Sequence, residues 1–214
     1  SMNRIHVIKI GGAILNDQLR VEKLLKDLAN LHEPFVLVHG GGRSVNEWLL
    51  KLVLEPNMVD GRRITDAPTL ELAVMHYAGL LNKRIVANLQ KHGTNALGLT
   101  GADFDCIRAS KRIHPTIDFG FVGDITKVNG DIFFELCSNG IRPVCCAITH
   151  DGQGQLLNTN ADTIAAQIAA ALAPFAEIQL WYAFEKQGVL LDVSDDQSII
   201  SELSAASSQH LEDA

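Results

Sequence analysis

Val7-Ile8-Lys9-Ile10-Gly11-Gly12-Ala13 is an apolar run that carries one lysine and stops at a glycine pair. Together with Ile5 it reads as a buried strand, and burying an unpaired ammonium is expensive. Lys9 sits one residue from the strand end, so its head can emerge where the strand opens into a turn. Two glycines let that turn bring backbone N–H groups close to an anion. A lysine, bare N–H groups and a tight turn describe a phosphate or carboxylate site. They equally describe an edge-strand lysine snorkelling to water before an ordinary turn, and the stretch alone leaves both open.

The same unit then recurs. Leu24, Leu25, Leu28 and Leu31 mark a helix between Asp17 and Leu31, which Pro34 ends. Phe35-Val36-Leu37-Val38 is short and apolar throughout, as in a parallel sheet covered on both faces. It runs into His39-Gly40-Gly41-Gly42, and Ser44-Val45-Asn46-Glu47 reads as a capping box opening a helix. Two strand–glycine turn–helix units in one parallel sheet both emerge at the strands' C-terminal edge, where ligands bind. The repetition tips the reading of Lys9 toward a site.

Further along, Gly61-Arg62-Arg63-Ile64-Thr65 forms a hairpin or loop, and Asp66 with Pro68 starts a long helix to about His92. Its apolar residues exceed one narrow stripe, so it either crosses the core or buries a second face against a partner subunit. Ala96-Leu97-Gly98-Leu99 is expected as a buried strand, and Thr100 to Lys127 as short antiparallel strands. Gly130 to Asn139 is a helix stopped at Asn139-Gly140, and Pro143 to Ile148 a buried strand followed by the turn Asp151-Gly152-Gln153-Gly154. Leu157-Asn158-Thr159-Asn160-Ala161-Asp162 then leads into an alanine-rich helix, with Asn160 as N-cap and Asp162 in the first turn. Ile178 to Tyr182 and Gly188 to Asp192 read as strands, and Ile199 to Leu211 as a weak helix. No repeat or linker divides the chain, so one α/β domain over 1–214 is expected.

Composition narrows the function. At 214 residues, 47% hydrophobic and 20% charged, the chain can bury a real core. Its 18 basic against 25 acidic residues give −7, which argues against nucleic-acid and anionic-membrane surfaces. No apolar run approaches the roughly 20 residues of a membrane span. No signal-peptide pattern is present, and Cys106, Cys137, Cys145 and Cys146 lack metal or redox spacing, so free thiols in a cytoplasmic protein are expected.

The Walker pattern, G-x-G-x-x-G, a nucleophile elbow and H-E-x-x-H are all missing. His39 stands at a strand end, where a histidine is most often structural. An inventory with no evident general base suits an acceptor that is already ionised, such as a carboxylate with a pKa of about 4.3. Phosphoryl transfer is such a reaction, because the protein mainly places the partners and stabilises charge. Lys9 would meet the transferring oxygens, the N–H groups of both turns (Gly11, Gly12; Gly41, Gly42) would hold phosphoryl and acceptor, and Asp162 would anchor the lysine. Arg63 would clamp a substrate carboxylate through both arms of its guanidinium.

Lys9-Ile10-Gly11-Gly12, Val38-His39-Gly40-Gly41-Gly42, Gly61-Arg62-Arg63-Ile64-Thr65 and Asn158-Thr159-Asn160-Ala161-Asp162, in that order, resemble the N-acetylglutamate kinases of the amino-acid kinase superfamily. The likeness runs from the first strand to about Asp192. It implies a three-layer α/β/α sandwich with a mostly parallel central sheet. It also implies transfer of the γ-phosphate of ATP, with Mg2+, to the γ-carboxylate of an N-acetyl- or N-succinyl-L-glutamate in arginine biosynthesis. By that resemblance Lys9 and Asp162 are catalytic, Gly41 and Gly42 contact substrate through the backbone, and Arg63 and Asn158 hold its α-carboxylate and acyl amide. The long helix after Asp66 resembles the family's dimer-forming helix, so a homodimer is expected.

Two departures qualify the likeness. The family's Thr/Ser-Asp-Val-x-Gly stretch by the nucleotide is replaced by Trp181 to Gly188, longer and without the aspartate. Tyr182 and Phe184 offer stacking faces there, Lys186 a phosphate contact, and Gly188 completes the candidate nucleotide residues. The family also carries a second lysine in a Gly-Gly-Met-x-x-Lys segment beyond the equivalent of Asp192, which these 214 residues lack. A sequence cut short at its C-terminus is the expectation. The competing readings are a non-catalytic or regulatory relative that binds an N-acyl amino acid, and a superfamily kinase for another carboxylate.

Overall fold

The structure is a computed structural model that describes residues 4–41, 43–52 and 56–183. The chain runs through β1 (Arg4–Ile10), α1 (Gly12–Leu15), α2 (Gln18–Ala29), β2 (Phe35–His39) and α3 (Arg43–Lys51). The hairpin β3 (Met58–Val59) and β4 (Arg62–Arg63) leads into α4 (Ala67–Ala73), a π-helical segment (Val74–Leu81) and α5 (Asn82–Lys91). Then follow β5 (Ala96–Leu99), β6 (Ile107–Lys111), β7 (Gly123–Val128), α6 (Gly130–Ser138), β8 (Arg142–Cys146) and β9 (Ile148–His150). The described part ends with β10 (Leu156–Asn158), α7 (Ala161–Leu172) and β11 (Glu177–Ala183).

Five strands form a parallel sheet in the order β11-β1-β2-β8-β5. Ile5, Val7, Ile8 and Ile10 are fully buried at its centre because successive side chains point to opposite faces and both faces are covered. On one face Val7 and Val38 meet Val45 and Leu49 of α3, Tyr77 of the π segment, Phe133 of α6 and Ile168 of α7. On the other Ile8, Ile10 and Leu37 meet Leu24, Leu25 and Leu28 of α2 and Ile85 and Leu89 of α5. Each such burial is worth ~1.5–3 kcal/mol, so the sheet is the rigid layer on which any site must sit. Helices on both faces make the three layers expected from sequence.

A second sheet, β10-β9-β6-β7, lies past the C-terminal end of β8. It is antiparallel apart from one parallel step, Arg108 to His150. Backbone bonds from Thr65 N–H to the Phe119 carbonyl, Phe121 N–H to Thr65 and Asn158 N–H to Phe121 tie the β6–β7 connection to the rest. The irregular Thr100–Lys127 region is therefore part of the same body.

Helix starts follow their capping residues. The Asp17 carboxylate accepts from the N–H groups of Leu19 and Arg20 at 3.1 and 3.2 Å, Asp66 from Thr69 at 2.9 Å and Asn160 from Thr163 at 3.1 Å. The capping box at Ser44 is corrected: α3 is already helical at Arg43, so Ser44 lies inside the first turn. The helix takes over directly from the glycine turn. The single strand expected over Pro143–Ile148 is divided, because Ala147 separates β8 in the first sheet from β9 in the second. Ala96–Leu99 is an edge strand whose Leu99 alone is buried. The expected strand Gly188–Asp192 and helix Ile199–Leu211 lie outside the described residues.

The long helix after Asp66 exists but is not uniformly α-helical. Its middle, Val74–Leu81, widens to a π-helix, and Asn82 resumes the α-helical pattern. Leu70, Ala73, Tyr77, Leu81, Ile85 and Leu89 face the core, whereas Met75 and Leu80 stay exposed. The core therefore takes one face of this helix and leaves apolar residues on another.

Candidate active site

The strand ends β1 and β2, the start of α7, the end of β10 and the β3–β4 hairpin enclose a cleft of about 380 Å³. It opens at the C-terminal edge of the parallel sheet, where the two glycine turns predicted it.

Lys9 reaches this cleft because the alternation of β1 turns it toward α7, opposite Ile8 and Ile10. Its Nζ stands 2.9 Å from Oδ1 of Asp162 in the first turn of α7. Side-chain exposures of 19% for Lys9 and 57% for Asp162 make this a partly solvated pair. Such a pair adds little stability, so what it supplies is position: the carboxylate fixes where the ammonium points. Burial, with the Asp162 carboxylate adding to it, raises the phenol of Tyr182 above its ordinary range. Tyr182 stands beside Lys9 in the β1–β11 register.

The two glycine turns differ. Gly12 lines the cleft, but the Gly11 N–H donates to the Ala183 carbonyl at 3.3 Å and Gly11 is absent from the lining. In the second turn Gly40 and Gly41 both line the cleft. A Cβ on Gly41 would run into the Tyr77 ring and press on Leu81, so only glycine lets the backbone pass. Gly42, Phe184, Lys186 and Gly188 lie outside the described residues.

Arg63 enters from the hairpin, whose Asp60 and Gly61 take positive φ of 50° and 74° to close it. Its Nε and Nη2 donate to Oδ1 of Asn46 at 3.1 and 2.9 Å, and its Nη1 donates to the Tyr77 hydroxyl at 2.9 Å. The guanidinium is thus held by α3 and the π segment at once. Asn158, at the end of β10, lines the cleft and donates to Thr65 Oγ1 at 3.3 Å. Beneath it Thr149 and Thr159 share a buried hydroxyl–hydroxyl bond of 2.8 Å.

Lys9, Gly12, Gly41, Arg63, Asn158 and Asp162 thus meet in one cleft. Tyr77 and Asn46, which orient Arg63, were not singled out from sequence. Asn46 carried a faint signal, lying one turn into the helix after the second glycine turn. Arg112 also lines the cleft, bound to Asp124 through Nε and Nη2 at 3.0 and 2.7 Å. Nothing in its sequence surroundings marks it. Among the described residues, the cationic side chains of Lys9, Arg63 and Arg112 line the cleft against the Asp162 carboxylate, with Asp124 behind Arg112, which leaves the cleft positive in a chain of net charge −7. That is the electrostatics of a site for a polyanionic ligand. Among the described residues no three His, Cys, Asp or Glu side chains gather to hold a metal ion. Nor is any helix among them long and apolar enough to cross a membrane.

The amino acid kinase family pattern matches residues 4–210. The acetylglutamate kinase of Parabacteroides distasonis is 51% identical over 202 residues, 94% of this chain and 79% of that protein. That of Bacteroides thetaiotaomicron is 50% identical over 203 residues, 95% of this chain and 79% of that protein. Among solved structures, smu.665 of Streptococcus mutans UA159 is 25% identical with a TM-score of 0.71, covering 88% of this chain and 77% of the other. N-acetylglutamate synthase of Neisseria gonorrhoeae, complexed with coenzyme A and N-acetyl-glutamate, shares the fold at 22% identity and a TM-score of 0.73, over 87% of this chain and 44% of that one. The chain belongs to the amino acid kinase family, and within it to the acetylglutamate kinases.

Proposed function

We propose that the cleft transfers the γ-phosphate of ATP to the γ-carboxylate of an N-acyl-L-glutamate, a step of arginine biosynthesis. The observation that carries this is the joint placement of Lys9, held by Asp162, and Arg63, held by Asn46 and Tyr77, in one cleft. In this reading Arg63 takes the α-carboxylate of the substrate and Asn158 its acyl amide. Gly41, with Gly42, donates backbone N–H groups to the acceptor. Gly12 approaches the phosphates, while Gly11 serves the turn. Lys9 lies against the transferring oxygens, where negative charge spreads in the transition state, so its contribution grows as the phosphoryl group moves. The acceptor is ionised at neutral pH and needs no base, which agrees with a cleft that no histidine lines among the described residues. Mg2+ would accompany the nucleotide phosphates, while Asp162 stays with Lys9. Tyr182, Phe184, Lys186 and Gly188 remain the nucleotide candidates, on the sequence grounds given above.

Arg112 favours a second acceptor within the same reading. It lines the cleft while bound to Asp124, so the cleft wall it forms is one that the terminal carboxylate of N-succinyl-L-glutamate would be drawn to and an acetyl methyl would not. Coupled ADP release with N-acetyl-L-glutamate, N-succinyl-L-glutamate and free glutamate tests both acceptors. Turnover with either acylated substrate and not with glutamate is expected, and no turnover with any of the three sinks the kinase reading in favour of a non-catalytic binder.

The exposed apolar residues Met75 and Leu80 on the long helix, with Trp48 and Leu50 of α3 and Leu52 just after it, support a homodimer that covers them. Sedimentation should give twice the chain mass, and Met75→Glu should return the monomer. Buried, unpaired thiols at Cys106, Cys137, Cys145 and Cys146 support a cytoplasmic setting.

A further inference from the structure

His39 is fully buried at the end of β2, one residue before the turn that lines the cleft. Its Nδ1 lies 2.9 Å from the Gly40 carbonyl and its Nε2 lies 3.1 Å from Nδ2 of Asn82. The same Asn82 Nδ2 donates to the Val144 carbonyl at 3.0 Å, and Asn82 Oδ1 accepts from Lys83 Nζ at 2.8 Å. These contacts leave one proton arrangement. A carbonyl facing Nδ1 requires N–H there, and the donating amide of Asn82 requires a lone pair at Nε2. The ring is neutral, with its proton on Nδ1, and both neighbours demand it independently.

The consequence appears at the next peptide. In a trans peptide the carbonyl and the following N–H point in opposite directions, and the described chain holds no cis bond. Drawing the Gly40 carbonyl toward the buried ring therefore turns the Gly41 N–H away from the ring, in a turn whose Gly40 and Gly41 both line the cleft. Glycines at this turn have little conformational preference of their own, so something else must choose the peptide orientation. Asn82 stands where the π-helical segment gives way to α5, and a Cβ on Gly98 of β5 would collide with its Oδ1 and with Lys83 Nζ. The π segment, the edge strand and β8 thus converge on one amide that serves one imidazole.

We infer that His39 and Asn82 are positioning residues that hold the Gly40–Gly41 peptide with its N–H toward the acceptor, and that His39 takes no part in proton transfer. The inference rests on the phosphotransfer reading only for its kinetic test. Two substitutions separate the roles of the ring atoms. In His39→Asn the side-chain amide nitrogen occupies nearly the place of Nδ1 and can still donate to the Gly40 carbonyl. In His39→Gln the amide lies one bond further, near the place of Nε2, so it fills more of the space but cannot reach that carbonyl.

His39→Asn should keep kcat/KM for the acceptor within about threefold, while His39→Gln, Asn82→Ala and the remote Gly98→Ala should each lower it about tenfold to a hundredfold. A structural filler would give the reverse order, with His39→Gln better than His39→Asn. That order, or losses that merely follow the thermal midpoints, would overturn the inference. A second measurement does not depend on turnover. Nitrogen-15 spectra of the wild-type protein should show His39 neutral with its proton on Nδ1, and the Gly41 amide resonance should move in His39→Gln more than in His39→Asn. A ring protonated on Nε2 at neutral pH would overturn the assignment even if the enzyme is active. Normal spectra with no turnover would leave the geometry standing and remove the kinase reading instead.

Discussion

The two strand–glycine turn–helix units sit side by side in the sheet, with Ile10 in register with His39, yet they handle polarity in opposite ways. The β1 unit exposes a cation: Lys9 leaves the strand, meets Asp162 across partly solvated space, and its turn spends the Gly11 N–H on the neighbouring strand. The β2 unit buries a neutral ring: His39 contacts no solvent and reaches the cleft only through the glycines that follow it. Similar sequence patterns thus produce a charged group fixed by a carboxylate at the cleft and an uncharged ring buried behind it. The difference follows from what lies at each strand end. Beside Lys9 is the open first turn of α7, where a carboxylate stabilises an ammonium. Around His39 are the Gly40 carbonyl and the Asn82 amide, itself tied to the Val144 carbonyl, where an imidazolium could not be solvated and a neutral ring finds both its hydrogen-bond partners.

The comparison breaks most sharply at Lys9. Lys9→Ala should lower kcat about a thousandfold with a much smaller change in KM, because the contact is made chiefly in the transition state. Equal changes in both parameters, read by coupled ADP release, would reduce Lys9 to a ground-state anchor.

The next effect belongs to the buried partner. Burial lowers the His39 pKa from 6.5 to about 4, so below about pH 6.5 the unfolded chain binds a proton that the native protein refuses. Stability present above pH 6.5 is lost as the pH falls toward 4, by about 3 kcal/mol for this group. Urea unfolding from pH 7 to 4 in wild type and His39→Asn should show a shallower slope in the variant. Identical slopes would mean that the ring is accessible to protons in the native state.

Arg63 joins the two halves, since Asn46 follows the second turn and Tyr77 packs on Gly41. Arg63→Ala should raise KM for the acceptor about tenfold to a hundredfold while kcat falls less, the loss expected for charge-assisted bonds to a substrate carboxylate. A pure kcat effect would move Arg63 to the transferring phosphoryl instead.

The smallest change expected is for Asp162→Asn. It keeps the helix start but removes the charge that orients Lys9, so kcat should fall about tenfold while the unfolding midpoint barely moves. A large drop in stability would contradict the partly solvated character of the pair.

The legible part of this molecule was its periodic and punctuated part. Apolar runs at Ile5–Ile10 and Phe35–Val38 gave central strands, and Asp17, Asp66 and Asn160 marked helix starts through short-range capping bonds. The ion pair of Lys9 with Asp162 was also foreseeable, because a lysine in an apolar strand needs an anion. Residues whose role comes from long-range contact stayed hidden. Asn82 looks like any polar residue on a helix, and only the wider π turns before it and the close approach of Gly98 bring its amide beneath His39. Arg112 gave no local signal, since it reaches the cleft through a connection fastened by Thr65 and Asn158. The split of Pro143–Ile148 between two sheets was equally unreadable, because an apolar run does not say which neighbour each residue pairs with.

Sequence by itself determined the parallel sheet, its two glycine turns and a cation at the strand end, because burial, turn flexibility and charge are properties of residues and their neighbours along the chain. Tertiary structure decided which N–H groups face the cleft, which proton His39 carries and what holds Arg63. Those depend on where a carbonyl, an amide or a hydroxyl stands across the sheet, and no spacing along the chain encodes that distance.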